Sequence, residues 1–358
     1  MDVATTETTR PNVVGDPHSS ASVGTSITPS TWAERAALVI ALAAAAHWIV
    51  GATTGLSDTE AYYAEWARVP ALSYYDHPPL VAWTTWLVTR VSGAPWAIRS
   101  GPVLYAIAFD ALVYRLTARL FSPRAGFLAV CILTAVPVIF FTGFLLNPEG
   151  LLAPLWTLFL VLLLSLRDDD APWRPLAIGA VVGVGFLAKY TAILAVPVAL
   201  LTLAVSPPRR RWLRRSSLYL GGVVALAIAT PVIGWNALNH WPSVHLHLSE
   251  RLAQSSGESL VSSLWRVGRG QLLYFQPLLL PMLGAVLCAA LARSRRDDRY
   301  RFLATTSVPV LAFVLTAMVR AQDSEPHWTL VGYVPLIVAA GGLIDESTVG
   351  CAVSRRVF

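Results

Sequence analysis

Apolar residues in this chain come in blocks rather than in alternation. About ten blocks stand out, at 34–53, 98–118, 125–144, 150–166, 174–188, 190–206, 216–235, 270–292, 302–319 and 328–345. Most approach the roughly 20 residues that a helix needs to cross the hydrocarbon core of a bilayer. The pattern predicts an all-α integral membrane protein, a bundle of about ten transmembrane helices. The blocks 174–188 and 190–206 are short and flank Lys189-Tyr190, which predicts a break or hairpin there. Residues 1–32, rich in Ser, Thr, Pro and Gly, carry no apolar period and read as a disordered cytoplasmic tail. They show no signal-peptide pattern, because the first apolar block begins only near Ala36. The membrane domain is then 33–345, with 346–358 as a cytoplasmic tail.

Composition agrees with the blocks. Hydrophobic residues make up 55% and charged residues 13%, against about 25% charged in a soluble domain. A net charge of +6 would also fit a nucleic-acid binder, but the placement of the arginines argues against one. With the N-terminus inside, five inner segments collect 17 of the 26 arginines: 115–124, 167–174, 209–215, 293–301 and the tail 355–356. Arginine excess marks cytoplasmic loops, so the bilayer is the partner and no nucleic acid is implied. The three cysteines, Cys131, Cys288 and Cys351, are scattered and form neither a metal spacing nor a disulfide framework.

The outer segments (54–97, 145–149, the surroundings of Lys189, 236–269 and 320–327) hold five of the seven histidines and most isolated acids. Ionisable groups near membrane depth are costly and usually functional, so the active face is the outer one. In the first outer loop, apolar and aromatic residues recur at helical spacing, which predicts short amphipathic helices at the interface. Ser57 followed three residues later by Glu60 reads as a capping box, while Asp58 or Glu60 is equally placed to serve as a general base. In 74–79, two prolines force extended backbone at His77 and aim Asp76 and His77 together, an arrangement suited to anion or metal handling. Lys189, the single lysine, interrupts a long apolar run and needs an anionic partner; a lipid phosphate would serve. His245 and His247 are a weak metal signal with no third ligand in sequence. No phosphate-cradling loop is present, so no nucleotide donor is supported.

EAYY (60–63), YYDHPPLVAW (74–83), NPEG (147–150), GFLAKYTA (185–192), PVIGWNALNHWPS (231–243) and EPHWTLVGYVPL (325–336) together resemble the polyprenyl-phosphate-dependent GT-C glycosyltransferases. The likeness is to the bacterial branch related to protein O-mannosyltransferases, rhizobial galacturonosyltransferases and the lipid A aminoarabinose transferase. The resemblance implies a GT-C bundle in the cytoplasmic membrane. It also implies inverting transfer of a sugar from a polyprenyl-phosphate donor to an envelope glycan, lipid or protein at the extracytoplasmic side. Carried over by position, Asp58 and Glu60 match the acidic motif, although Thr59 separates them where the family motif is contiguous. Tyr62, Tyr63, Asp76, His77, Glu149, Lys189, Asn236, His240 and His327 fall to donor-phosphate or substrate binding. No resident cofactor is implied; a divalent metal is compatible with this chemistry, but no motif supports one. The competing reading is a multi-span transporter or flippase for a polyprenyl-linked or anionic substrate, although no internal repeat is evident.

Overall fold

The computed structural model of the chain describes Met1 and residues 29–250, 258–321 and 323–354. Residues 2–28, which hold most of the expected tail, lie outside the described residues. The described chain is helical almost throughout. In order the α-helices are α1 (Pro29–Thr53), α2 (Asp58–Trp66), α3 (Leu80–Thr89), α4 (Pro95–Leu120), α5 (Pro123–Thr134), α6 (Pro137–Thr142), α7 (Pro148–Ser165), α8 (Trp173–Ala188) and α9 (Ala195–Val205). They continue with α10 (Ser216–Leu238), α11 (Leu260–Phe275), α12 (Leu279–Arg293), α13 (Asp298–Arg320) and α14 (Leu330–Ser354). Prolines open α4, α5, α6 and α7, where a missing N–H costs no helical bond. The side chains of Ser122 and Asn147 cap α5 and α7, accepting from Ala125 N at 3.0 Å and Gly150 N at 2.7 Å.

Every predicted block is helical, but ten uninterrupted spans are not what the structure contains. Among the described residues, five helical stretches are long and apolar enough to cross a membrane: Thr31–Thr53, Pro148–Ser165, Ser216–Leu238, Asp298–Arg320 and Pro326–Thr348. The pair α11 and α12 meets the same length and composition only when taken together across a 101° bend, as a broken span or a re-entrant loop would. The block 125–144 splits into α5 and α6 at Pro137. The block 190–206 splits into a 3-10 turn, Tyr190–Leu194, and α9. α14 runs through the boundary expected at 345 to Ser354. The first part of α11, residues 260–269, lies in what the sequence reads as an outer segment, because Ser262, Ser263, Arg266 and Arg269 interrupt its apolar run while preserving helical spacing.

α7 and Pro326–Thr348 form the centre, with about four-fifths of their most apolar stretch buried, whereas α1 and α10 are peripheral and mostly exposed. At one end of the bundle, the one the arginines predict to face inward, the acids pair with arginines: Asp168 with Arg119, Asp169 with Arg174 at 2.6 Å, and Asp170 with Arg211 at 2.8 Å. At the other end α2, α3 and the loops after α6 and α8 surround a large cavity.

Candidate active site

The capping box predicted at Ser57 forms. Ser57 Oγ accepts from Glu60 N, and the Glu60 carboxylate accepts from Ser57 N at 2.9 Å. The same carboxylate reaches across to α4. Arg99 donates to it twice, Nε to Oε1 at 2.8 Å and Nη2 to Oε2 at 2.6 Å, and Leu146 N donates at 3.2 Å. Arg99 also donates to Gly51 O at 2.9 Å, Thr54 O at 2.8 Å and Gly55 O at 2.8 Å. One buried ion pair therefore knits the end of α1, the start of α2, α4 and the loop before α7. Burial alone would raise the Glu60 pKa, but the bonds from Arg99, Ser57 and Leu146 outweigh it and hold the carboxyl below its ordinary range. Glu60 is a carboxylate with its lone pairs spent.

Asp58, two residues earlier in the first turn of α2, is exposed and lines a cavity of about 1140 Å³. Glu60, Tyr62, Tyr63, Asp76, His77, Glu149, Lys189 and His327 line the same space. Tyr62 donates its hydroxyl to Asp76 at 3.0 Å, and the Tyr63 and His77 rings meet edge to face at 5.7 Å. The loop carrying Asp76 is fixed by Tyr74, which stacks on Trp66 at 4.3 Å and donates its hydroxyl to Trp66 O at 3.0 Å.

Lys189 occupies the break between α8 and the following 3-10 turn, in extended conformation (φ −157°, ψ 138°). Its ammonium lies on the Glu149 carboxylate and 5.7 Å from the Trp328 ring. His327 Nε2 stands 3.1 Å from the same Glu149 oxygen. The anionic partner that a buried lysine demands is thus supplied from the first turn of α7, and one face of the ammonium still borders the cavity.

Asn236 and His240 are not part of this cluster. Asn236 is buried at the end of α10, where Nδ2 donates to Val232 O at 3.1 Å and Oδ1 accepts from Ser243 N at 3.3 Å. His240 is exposed in a left-handed turn (φ 64°). His247, seven residues on, takes the place at the cavity wall, 3.0 Å from Asp76 O and edge-on to Tyr190. Arg99 escapes a reading by motifs, although one signal was present: an arginine at the start of the apolar block 98–118, at the end where arginines are scarce. Among the described residues no three His, Cys, Asp or Glu side chains stand close enough to hold a metal ion.

Around these polar groups the wall is apolar, with Phe141, Leu145, Ile193, Leu194, Leu273 and Phe313 along one side. The cavity exceeds the usual range of small-ligand sites. It offers a carboxylate, an ammonium and an apolar flank to one bound molecule.

Residues 76–235 match the family described as dolichyl-phosphate-mannose-protein mannosyltransferase. The chain is 26% identical over 302 residues to the lipid A galacturonosyltransferase RgtD of Rhizobium johnstonii, covering 80% of this chain and 60% of that protein. It superposes on ArnT from Cupriavidus metallidurans bound to undecaprenyl phosphate with a TM-score of 0.65 at 19% identity, over 91% of this chain and 64% of that one. The oligosaccharyltransferase AglB of Archaeoglobus fulgidus, in complex with an inhibitory peptide and a dolichol-phosphate, gives 0.59 at 13% identity, over 91% and 52%. The chain thus spans less than two thirds of the length of each of these proteins. The fold is thus that of these solved structures, and residues 76–235 carry the signature of the matched family.

Proposed function

We propose that this chain is a membrane glycosyltransferase that moves a sugar from a polyprenyl-phosphate carrier to an acceptor hydroxyl at the outer face of the cytoplasmic membrane, with inversion. One observation carries the reading: a single cavity joins the carboxylate of Asp58, which has no ion-pair partner among the described residues, the ammonium of Lys189 and an apolar flank. Those are the parts that deprotonation, phosphate departure and a prenyl chain require.

Asp58 removes the proton of the acceptor hydroxyl as its oxygen attacks the anomeric carbon. The bond from that carbon to the phosphate oxygen breaks, and its electron pair stays on the phosphate. Lys189 stabilises the charge that develops there, where the low-dielectric surroundings strengthen the interaction. Glu149 and His327 hold the lysine in place, and His77 together with the Tyr62–Asp76 pair bounds the sugar. The family resemblance leaves Asp58 and Glu60 open as the base; the spent lone pairs of Glu60 favour Asp58. Acceptor class is set by the loops around the mouth, with envelope lipid, glycan and protein all compatible with an outer-facing site.

In the bilayer we read the bent pair, α4, α5 with α6, α8, and the 3-10 turn with α9 as five further crossings beside the five long spans. That gives ten and returns the chain to its starting side. The support is the arginine distribution, since the inner loops and their ion pairs then share one face.

Purified protein supplied with labelled polyprenyl-phosphate sugars and an envelope extract tests the function. Transfer or donor hydrolysis is expected, and both should be lost in Asp58→Asn while the protein stays folded. Lipid movement across vesicles without bond cleavage would instead identify a flippase.

A further inference from the structure

Deeper in the bundle two ionisable side chains take no part in the transfer site. His47 on α1 and Asp110 on α4 are each only 4% exposed. His47 Nδ1 has no hydrogen-bond partner, and Asp110 makes no hydrogen bond or ion pair among the described residues. Both line a second cavity of about 10 Å³. Its other walls offer little: Ala106, Phe109, Ile139, Phe140 and Ala153 are apolar. The hydroxyls of Thr134 and Thr142 already donate to Val130 O and Ile139 O, both at 3.0 Å.

The position of the pair is not arbitrary. Asp110 follows Arg99 by three helical turns on α4, roughly 16 Å along the axis, and His47 precedes Gly51 by one turn on α1. Arg99 donates to Gly51 O at 2.9 Å, so the same α1–α4 seam carries a polar link at its outer end and a second polar pair further in. The His47 ring is held from behind by Phe140 at 4.7 Å and by Gly143, where a Cβ would overlap the ring. Thr142 borders both this cavity and the donor cavity.

An imidazole and a carboxyl buried without partners are each expensive in hydrocarbon, and the cavity they share is about the size of one water molecule. We propose that the cavity is a hydration site: one water molecule bridges the His47 imidazole and the Asp110 carboxyl and so ties α1 to α4 below the donor site. A water has two protons to give and two lone pairs to receive with. It therefore satisfies the pair whether the imidazole nitrogen accepts or donates, and whether the carboxyl is ionised or protonated.

A structure of the full chain in lipid nanodiscs, at a resolution that shows ordered water, tests this directly. One density peak within hydrogen-bond distance of both side chains is expected; an unfilled cavity, or direct contact between His47 and Asp110, overturns the proposal. Thermal unfolding of His47→Phe, Asp110→Leu and the double variant gives a second test. Both singles remove the same bridge, so the double variant should unfold no earlier than the worse single. Additive losses would overturn it. Exchanging sodium for potassium should leave the wild-type midpoint unmoved, and a sodium-specific rise would mean that the cavity takes a cation instead of water.

Discussion

At the scale of single residues, Asp58 and Glu60 stand two positions apart on one short helix and do different work. Glu60 is buried on Arg99 and shapes the loop, whereas Asp58 faces the cavity. Removing one member of a buried pair typically costs about 3–5 kcal/mol, because the other charge is left uncompensated. Arg99→Leu and Glu60→Gln are therefore expected to lower the unfolding midpoint sharply, while Asp58→Asn leaves it unchanged and cuts turnover by roughly 10²–10⁴-fold, the usual contribution of a general base. Unfolding and turnover measured on the same preparations separate the two roles. If Asp58→Asn destabilised while Glu60→Gln merely slowed turnover, the assignment would be reversed.

The depressed pKa of Glu60 adds a pH dependence with a definite sign. A carboxyl whose folded pKa lies below its unfolded value contributes fully above the unfolded value, about 4.3 for glutamate. That contribution is lost as pH falls toward the folded value. The midpoint of the wild type should thus drop on acidification below this range by more than that of Glu60→Gln, in which nothing titrates at this position. Parallel acid profiles would count against the ion pair as a source of stability.

At the scale of elements, α8 and α10 pack closely through glycine. A Cβ at Gly179 would collide with the Gly221 carbonyl, and a Cβ at Gly221 with that of Pro175. Small residues let membrane helices approach in this way. Gly179→Val should cost 1–3 kcal/mol or more, roughly the penalty of overpacking, whereas Gly234→Ala on the same α10 meets open space and should be close to neutral. Detergent resistance and unfolding of the two variants make the comparison.

The elements also show where sequence reading succeeds. Long apolar blocks and caps such as Ser57–Glu60 are local, so their helices and ends could be read directly, as could the break at Lys189. The bend between α11 and α12 was not legible, because it turns on Gln276, which adopts φ 69° and donates to Ala135 O at 2.8 Å, a contact 141 residues away in the chain. Arg99 with Glu60 and Lys189 with Glu149 are likewise long-range pairs. The motifs named three of those four residues, but nothing in local spacing could assign the partners. His240 was misplaced for a related reason: the left-handed turn at His240 and Trp241 redirects the chain, so that His247 reaches the cavity.

At the scale of the whole molecule, charge balance in the cavity bears on which donors the proposed transfer would accept. Of the carboxylates that line it, Glu60 is compensated by Arg99 and Glu149 by Lys189. Asp58, Asp76, Asp323 and Glu325 have no lysine or arginine paired with them among the described residues. The donor phosphate brings a further negative charge. A sugar bearing its own carboxylate would meet this field directly. Two unit charges about 8 Å apart interact by roughly 2 kcal/mol at an effective dielectric of about 20, and each ~1.4 kcal/mol is a factor of ten. A neutral hexosyl donor is therefore expected to be turned over at least tenfold faster than the matching uronyl donor at low salt. The gap should narrow as salt screens the exposed acids. Asp323 and Glu325 lie at the mouth, so Asp323→Asn with Glu325→Gln should raise the uronyl rate while leaving the neutral one nearly unchanged. Equal rates in the wild type, insensitive to salt and to this double substitution, would mean that the sugar sits beyond the reach of these carboxylates, and that the Asp58 end of the cavity alone selects it.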